Sequence, residues 1–146
     1  MQITSRFTIA VHVITCVEHF KDREKVTSSF LAGSIGVNPV IVRTVMSMLK
    51  EAGIIFVSQG KSGITLARPL DAITFYDVYR AVDCVNGEGL FHFHGNPNPA
   101  CPVGRNIHSA MDARLKQVQR AMEEEMKGIT VADVTEDVEA AIRAVG

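Results

Sequence analysis

The sequence predicts a mainly α-helical chain with one small β-hairpin. Three observations carry this: apolar residues recur at helical spacing in most segments, two helical segments are separated by only a few residues around a glycine, and one short pair of β-prone runs flanks a Gly-containing turn. At 146 residues the chain suits one compact domain with an appended helix. No apolar run approaches the roughly 18 residues that a membrane span requires. The N-terminus has a short apolar run, a single basic residue before it and no small-residue cleavage site, so no signal peptide is expected. Three widely spread cysteines make no disulfide framework and suit a reducing cytoplasm.

Residues 5–20 read as a first helix, with Phe7, Ala10, Val11, Ile14 and Val17 on one face. His12, Cys16 and His19 lie on or beside it and read as packing or solvated groups rather than ligands. Residues 21–25, KDREK, form a charged loop. A second helix begins at Ser28 or Ser29, turns Phe30, Leu31 and Ile35 inward and ends at Gly36 in a left-handed conformation.

The next stretch, residues 38–52 (NPVIVRTVMSMLKEA), opens as a helix should. Asn38 caps it, and Pro39 stands at the first helical position, where its fixed φ fits and its missing N–H costs nothing. Ile41, Val45, Met48, Leu49 and Ala52 make the expected buried face. Val40, Arg43, Thr44, Ser47 and Lys50 lie on another face, with no acidic residue among them. Such a face suits base edges: arginine matches the two acceptors of guanine, and a methyl-bearing side chain matches thymine. Two helices joined by so short a turn are the helix-turn-helix arrangement. After Gly53, residues 54–58 (IIFVS) and 64–67 (ITLA) flank QGKSG, a hairpin in the position of a wing, with Lys61 at its tip to reach phosphate.

Residues 68–71 read as a linker. Thr74 and Asp77 form a capping box ahead of a short helix running to Asp83, with Val78 and Val82 inward and Tyr76 and Tyr79 flanking. Residues 86–104 are rich in Gly, Pro, Asn and His and read as a loop. A long helix is expected from Arg105 to about Met126. His108, Met111, Leu115, Val118 and Met122 step along it by three and four as a coiled-coil seam. Ile107 joins that surface, which is expected to meet a second copy of the chain. Thr130 and Asp133 make another capping box before a final helix. The charge divides with the halves. Residues 1–70 hold eight Lys/Arg against four acids, and residues 71–146 hold seven against twelve. The N-terminal half is therefore the one that would face phosphates.

Together, MQITSRFTIAVHVI, NPVIVRTVMSMLKEAGII, LARPLDAITFYDVYRAVD and ITVADV resemble the bacterial Rrf-type winged-helix regulators over nearly the whole chain. This is the family of the iron–sulfur cluster regulator, the nitric-oxide-sensitive repressor and the cysteine-metabolism repressor. The resemblance implies a winged helix-turn-helix DNA-binding domain over residues 1–83, a sensor-type loop over 84–104 and a dimerisation region over 105–146. It also implies a homodimer, most simply a repressor, meeting two half-sites of a palindromic operator in double-stranded DNA. The DNA-facing set it implies is Thr4, Ser5, Arg6, Ser28, Asn38, Val40, Arg43, Thr44, Ser47, Lys50, Gln59 and Lys61. The wing departs from the family: it is one residue shorter, and Gln59 replaces the arginine that would enter the minor groove.

Relatives that hold an iron–sulfur cluster use three cysteines in this loop, often with a fourth ligand just inside the long helix. Here only Cys101 is present, with Gly104 where a ligating side chain would stand, and no cofactor is expected. His92, His94, Cys101 and His108 are donors suited to zinc, but their spacing matches no recognised site, and exposed histidines are the simpler reading. The sharper possibility is a thiol switch at Cys101, whose thiolate the start of the long helix and Arg105 would favour; a bystander thiol is the competing reading. The alternative functions are an interaction module built on the acidic half and a metal-responsive regulator using His92, His94, Cys101 and His108. No nucleophile–base arrangement or phosphate loop suggests an enzyme.

Overall fold

A computed structural model of the chain describes residues 4–58, 63–82, 90, 91 and 93–145. Gln59 and Lys61 at the wing tip, and Cys84 and His92, lie outside the described residues. The element order is α1 (Ser5–Phe20), α2 (Ser28–Ile35), α3 (Pro39–Glu51), β1 (Ile55–Val57), β2 (Ile64–Leu66), a 3-10 turn (Leu70–Ala72), α4 (Phe75–Val82), α5 (Pro102–Lys127) and α6 (Val131–Val145).

The hub is α1, which packs against α2, α3, α4, α6 and β2. With neighbours on most sides it buries more than one stripe: Ile9, Val13, Thr15 and Cys16 are buried along with the expected Phe7, Ala10, Val11, Ile14 and Val17. The core continues through Leu31, Leu49, Ile54, Ile55, Ile73, Val78 and Tyr79, all essentially fully buried. Each large aliphatic among them contributes about 1.5–3 kcal/mol of transfer free energy. Edge-to-face rings fasten the periphery, Phe7 on Phe75 at 5.3 Å and Phe20 on Phe30 at 5.0 Å.

The chain closes on itself through backbone. Phe75 N–H donates to Ile129 at 2.8 Å and Val131 N–H to Ile73 at 2.8 Å, an antiparallel bridge between Thr74 and Thr130. Both bridge residues open capping boxes, Thr74 with Asp77 and Thr130 with Asp133, in which hydroxyl and carboxylate each accept a backbone N–H. The starts of α4 and α6 are thus clasped together, and the foot of α5 with them.

The histidines and cysteine of α1 take structural partners. The His12 Nε2 and Cys16 Sγ lie 3.0 and 3.4 Å from the same Ser34 hydroxyl. His19 Nδ1 pairs with the Glu139 carboxylate of α6. That contact holds Glu139 below the usual carboxylate range, chiefly through the hydrogen bond from His19 and against the desolvation that opposes it.

Candidate nucleic-acid interface

Local chemistry builds the helix-turn-helix. The N-cap of α2 is Thr27, whose hydroxyl accepts from Phe30 N–H at 3.2 Å; Ser28, one of the two expected caps, is instead the first helical residue and half-buried. Gly36 ends α2 at φ 81°, a left-handed conformation that glycine adopts without Cβ strain, and Val37 N–H reaches back to Ala32. Asn38 Oδ1 then accepts from Val40 N–H at 2.8 Å with Pro39 at the first position of α3. Between the two helices the chain bends by 113°.

The buried face of α3 is Val42, Val45, Met46 and Leu49. This corrects the face read from periodicity: Val45 and Leu49 stay, Met48 is half-buried, and Ile41 and Ala52 are exposed. Ile41 and Val42 are adjacent and both apolar, so spacing alone admits two registers. The positions of α1 and α4 against α3 select the one that buries Val42. The opposite face presents Val40, Arg43, Thr44, Ser47 and Lys50, all exposed. Among the described residues no ion pair engages Arg43 or Lys50, and exposed Glu51 closes the helix at its far end. The Thr44 hydroxyl donates to Val40 C=O at 3.0 Å.

Beside this face stands the hairpin. It pairs Ile55 with Leu66, Phe56 with Thr65 and Val57 with Ile64, burying Ile55 and Ile64. Phe56 and Val57 are exposed, 62% and 40%, an outward apolar surface that sequence reading does not single out. Strand alternation carries the signal for Phe56, which follows the inward Ile55. The turn end of the hairpin is pinned to the segment before α2, with Ile64 N–H donating to the Val26 carbonyl at 3.4 Å. At Gly63, φ is +63° and a Cβ would stand 2.6 Å from the Val26 carbonyl oxygen, so only glycine fits. At the start of α1, Thr4 Oγ1 accepts from both Arg6 N–H and Arg6 Nε, at 3.2 and 3.3 Å, which draws the half-buried Arg6 back over its own cap; Ser5 is exposed.

The other candidate residues gather at the far end of α5. The helix starts at Pro102, a turn earlier than Arg105, because Cys101 serves as its N-cap: the Sγ accepts from Gly104 N–H at 3.5 Å. Those donors lower the Cys101 thiol from its ordinary value, Gly104 first and Val103 second. The loop runs back along the helix. Leu90 N–H donates to Gln119 Oε1 at 2.9 Å, and the His108 ring packs with His94 at 5.1 Å and Phe93 at 5.3 Å. Among the described residues no three metal-ligating side chains converge. A Cβ on Gly104 would fall 2.7 Å from the Asn98 carbonyl oxygen, so a ligating side chain there would have to displace the loop. The described residues therefore do not fit an iron or cluster site.

Along α5, Ile107, His108, Met111 and Leu115 are half-buried, Val118 is 53% exposed, and Met122 and Met126 pack against the core. No residue of this 26-residue helix is fully buried. Among the described residues no single helix is long and apolar enough to cross a membrane.

Known proteins agree with this geometry. The family described as Rrf2, iron-dependent transcriptional regulator, matches residues 3–137. YwnA of Bacillus subtilis (strain 168), named as an HTH-type transcriptional regulator, is 40% identical over 132 residues, spanning 90% of this chain and 96% of that protein. A crystal structure described as that of a DNA-binding protein superposes with a TM-score of 0.71 at 35% identity, covering 89% of this chain and 98% of that one. The B. subtilis global cysteine regulator CymR shares the fold, at TM-score 0.67 and 16% identity, over 93% of this chain and 97% of its own. The chain belongs to the Rrf2 family of winged helix-turn-helix transcriptional regulators, and it is a DNA-binding regulator rather than an enzyme.

Proposed function

We propose that the protein acts as a homodimeric repressor that binds a palindromic operator through α3 and the hairpin beside it. One observation carries the reading: the exposed face of α3 that presents Val40, Arg43, Thr44, Ser47 and Lys50, with neither cation in an ion pair among the described residues, displayed by a helix-turn-helix that is followed by a wing. In this reading Val40, Arg43, Thr44 and Ser47 contact bases. Ser5, Arg6, Lys50 and the wing residue Lys61 contact phosphate, with Thr4, Ser28, Asn38 and Gln59 at the margins. Residues 1–83 form the DNA-binding unit, 84–104 the sensor-type loop and 105–146 the dimerisation region. The half-buried Ile107, Met111 and Leu115 with the exposed Val118 support the dimer, since a seam left open on one chain is completed by a second copy. Two-fold symmetry then sets half-sites about one helical turn, 34–36 Å, apart or a multiple of it.

The test is operator selection from random duplexes followed by binding across a salt series. Affinity should fall steeply as salt rises, because phosphate counterions are released. Arg43→Ala should remove about 1–3 kcal/mol of sequence discrimination while the dimer stays intact by sedimentation. Salt-insensitive binding, or an unaltered preference in Arg43→Ala, overturns the reading and favours the protein-interaction alternative.

A redox input through Cys101 is the second element of the proposal. The thiol is exposed and its own helix's N–H groups favour the thiolate, the nucleophilic form that attacks peroxides and disulfides. Mild peroxide should change operator affinity in the wild type and leave Cys101→Ser unaffected; equal responses remove the cysteine from the account.

A further inference from the structure

The register of α3 exposes an apolar group that helical spacing assigns to the core. Ile41 is 43% exposed and its neighbour Val40 57% exposed, both within the first turn of the helix. Thr44 stands one turn above Val40, and its hydroxyl proton is committed to the Val40 carbonyl at 3.0 Å. What Thr44 adds to the surface beyond that hydrogen bond is its methyl. Three side chains thus place aliphatic carbon in water at the entry end of a helix whose remaining exposed face carries Arg43, Ser47 and Lys50.

An aliphatic patch beside Arg43, a cation with no ion-pair partner among the described residues, fits a surface that is anionic overall and apolar at one point. In the major groove the pyrimidine C5-methyl of thymine is the apolar group on a base edge, set beside hydrogen-bonding atoms and between two rows of phosphates. We infer that Val40, Ile41 and Thr44 form a methyl-reading patch that selects thymine in each operator half-site, next to the base engaged by Arg43. This rests on the reading that α3 enters the major groove. The patch sets which pyrimidine is accepted, since cytosine offers an amino group and a bare C5 where thymine offers a carbonyl and a methyl.

The test uses duplex chemistry rather than a damaged protein. Each thymine of the selected operator is replaced in turn by deoxyuridine, which deletes one methyl and preserves every hydrogen-bonding atom. The expected result is a loss of about fourfold per contacted methyl, confined to one or two positions in each half-site. The double variant Val40→Ala/Ile41→Ala should bind the thymine duplex more weakly and lose most of its discrimination between thymine and uracil there. Both side chains are exposed, so far-UV circular dichroism and the melting temperature should match the wild type. Wild-type affinity that is the same for thymine and uracil at every position overturns the patch, as does a double variant that still discriminates fully. If salt-dependent, sequence-selective binding persists in those cases, the operator reading stands without the patch. If the duplex is not bound at all, both fall together.

Discussion

Helices α3 and α5 are both amphipathic, and both begin with a capped N-terminus and a proline, yet they end in opposite states. The 13-residue α3 buries four side chains and shows its cations to solvent. The 26-residue α5 buries none, keeping a stripe of half-covered Ile, Met and Leu. Packing on its own domain completes α3, so its open side is free to be a working surface. On one chain α5 leaves an apolar stripe half-covered, the stripe proposed above to meet a second copy.

The comparison is sharpest in the core. Leu49→Ala should cost about 2–5 kcal/mol in urea unfolding, by the same amount at every protein concentration, because Leu49 is fully buried within a single chain. Leu115→Ala should cost little at low protein concentration and more as concentration rises, flattening the dependence of the urea midpoint on protein concentration, because a weaker association stabilises less at every concentration. A midpoint independent of concentration in wild type and variant would break the contrast. The caps give the next effect. Asn38→Ala should cost about 1 kcal/mol, read from the same curves. Cys101→Ser at the start of α5 should be neutral to slightly stabilising, since serine is among the preferred caps and the thiol accepts over 3.5 Å.

Two smaller effects concern titration. Iodoacetamide labelling of Cys101 should reach half its maximal rate at a pH below the ordinary thiol value of about 8.5, because Gly104 and Val103 N–H groups stabilise the thiolate. An ordinary or higher midpoint would sink that picture of the cap. The His19–Glu139 contact gives the weakest signal. Glu139 titrates lower folded than unfolded, so its stabilisation is present above the unfolded carboxylate value near about 4.3 and is lost as pH falls through the lower folded value. Glu139→Gln should therefore flatten the acid limb of stability against pH.

The parts of the fold that depend on neighbours in sequence are legible in the chain itself. The caps at Asn38, Thr74 and Thr130, the left-handed Gly36 and the hairpin all follow from residues within a few positions of one another. Periodicity misleads where a choice is settled at a distance. The register of α3 is decided by α1 and α4, and the all-round burial of α1 by its central place. The start of α5 reads late because cysteine is an uncommon cap, although Pro102 at the first position is a visible signal. Of the DNA-facing set, the exposed face of α3 is legible from spacing. The exposure of Ile41, outside that set, is not, since an apolar residue in an amphipathic segment reads as core by default.

The clasp between Thr74 and Thr130 sets a mechanical limit on any signal from the loop end. At 1.5 Å per residue α5 is a lever about 39 Å long, hinged where its foot joins α4 and α6. Pushing its tip sideways by an ångström turns the foot through only about 1.5° by that length, too little to lift a reading helix out of a groove. Chemistry at Cys101 that alters operator binding would therefore have to reseat the rod by several ångströms or change how two rods cross, and a small local puckering would go unheard at the other end.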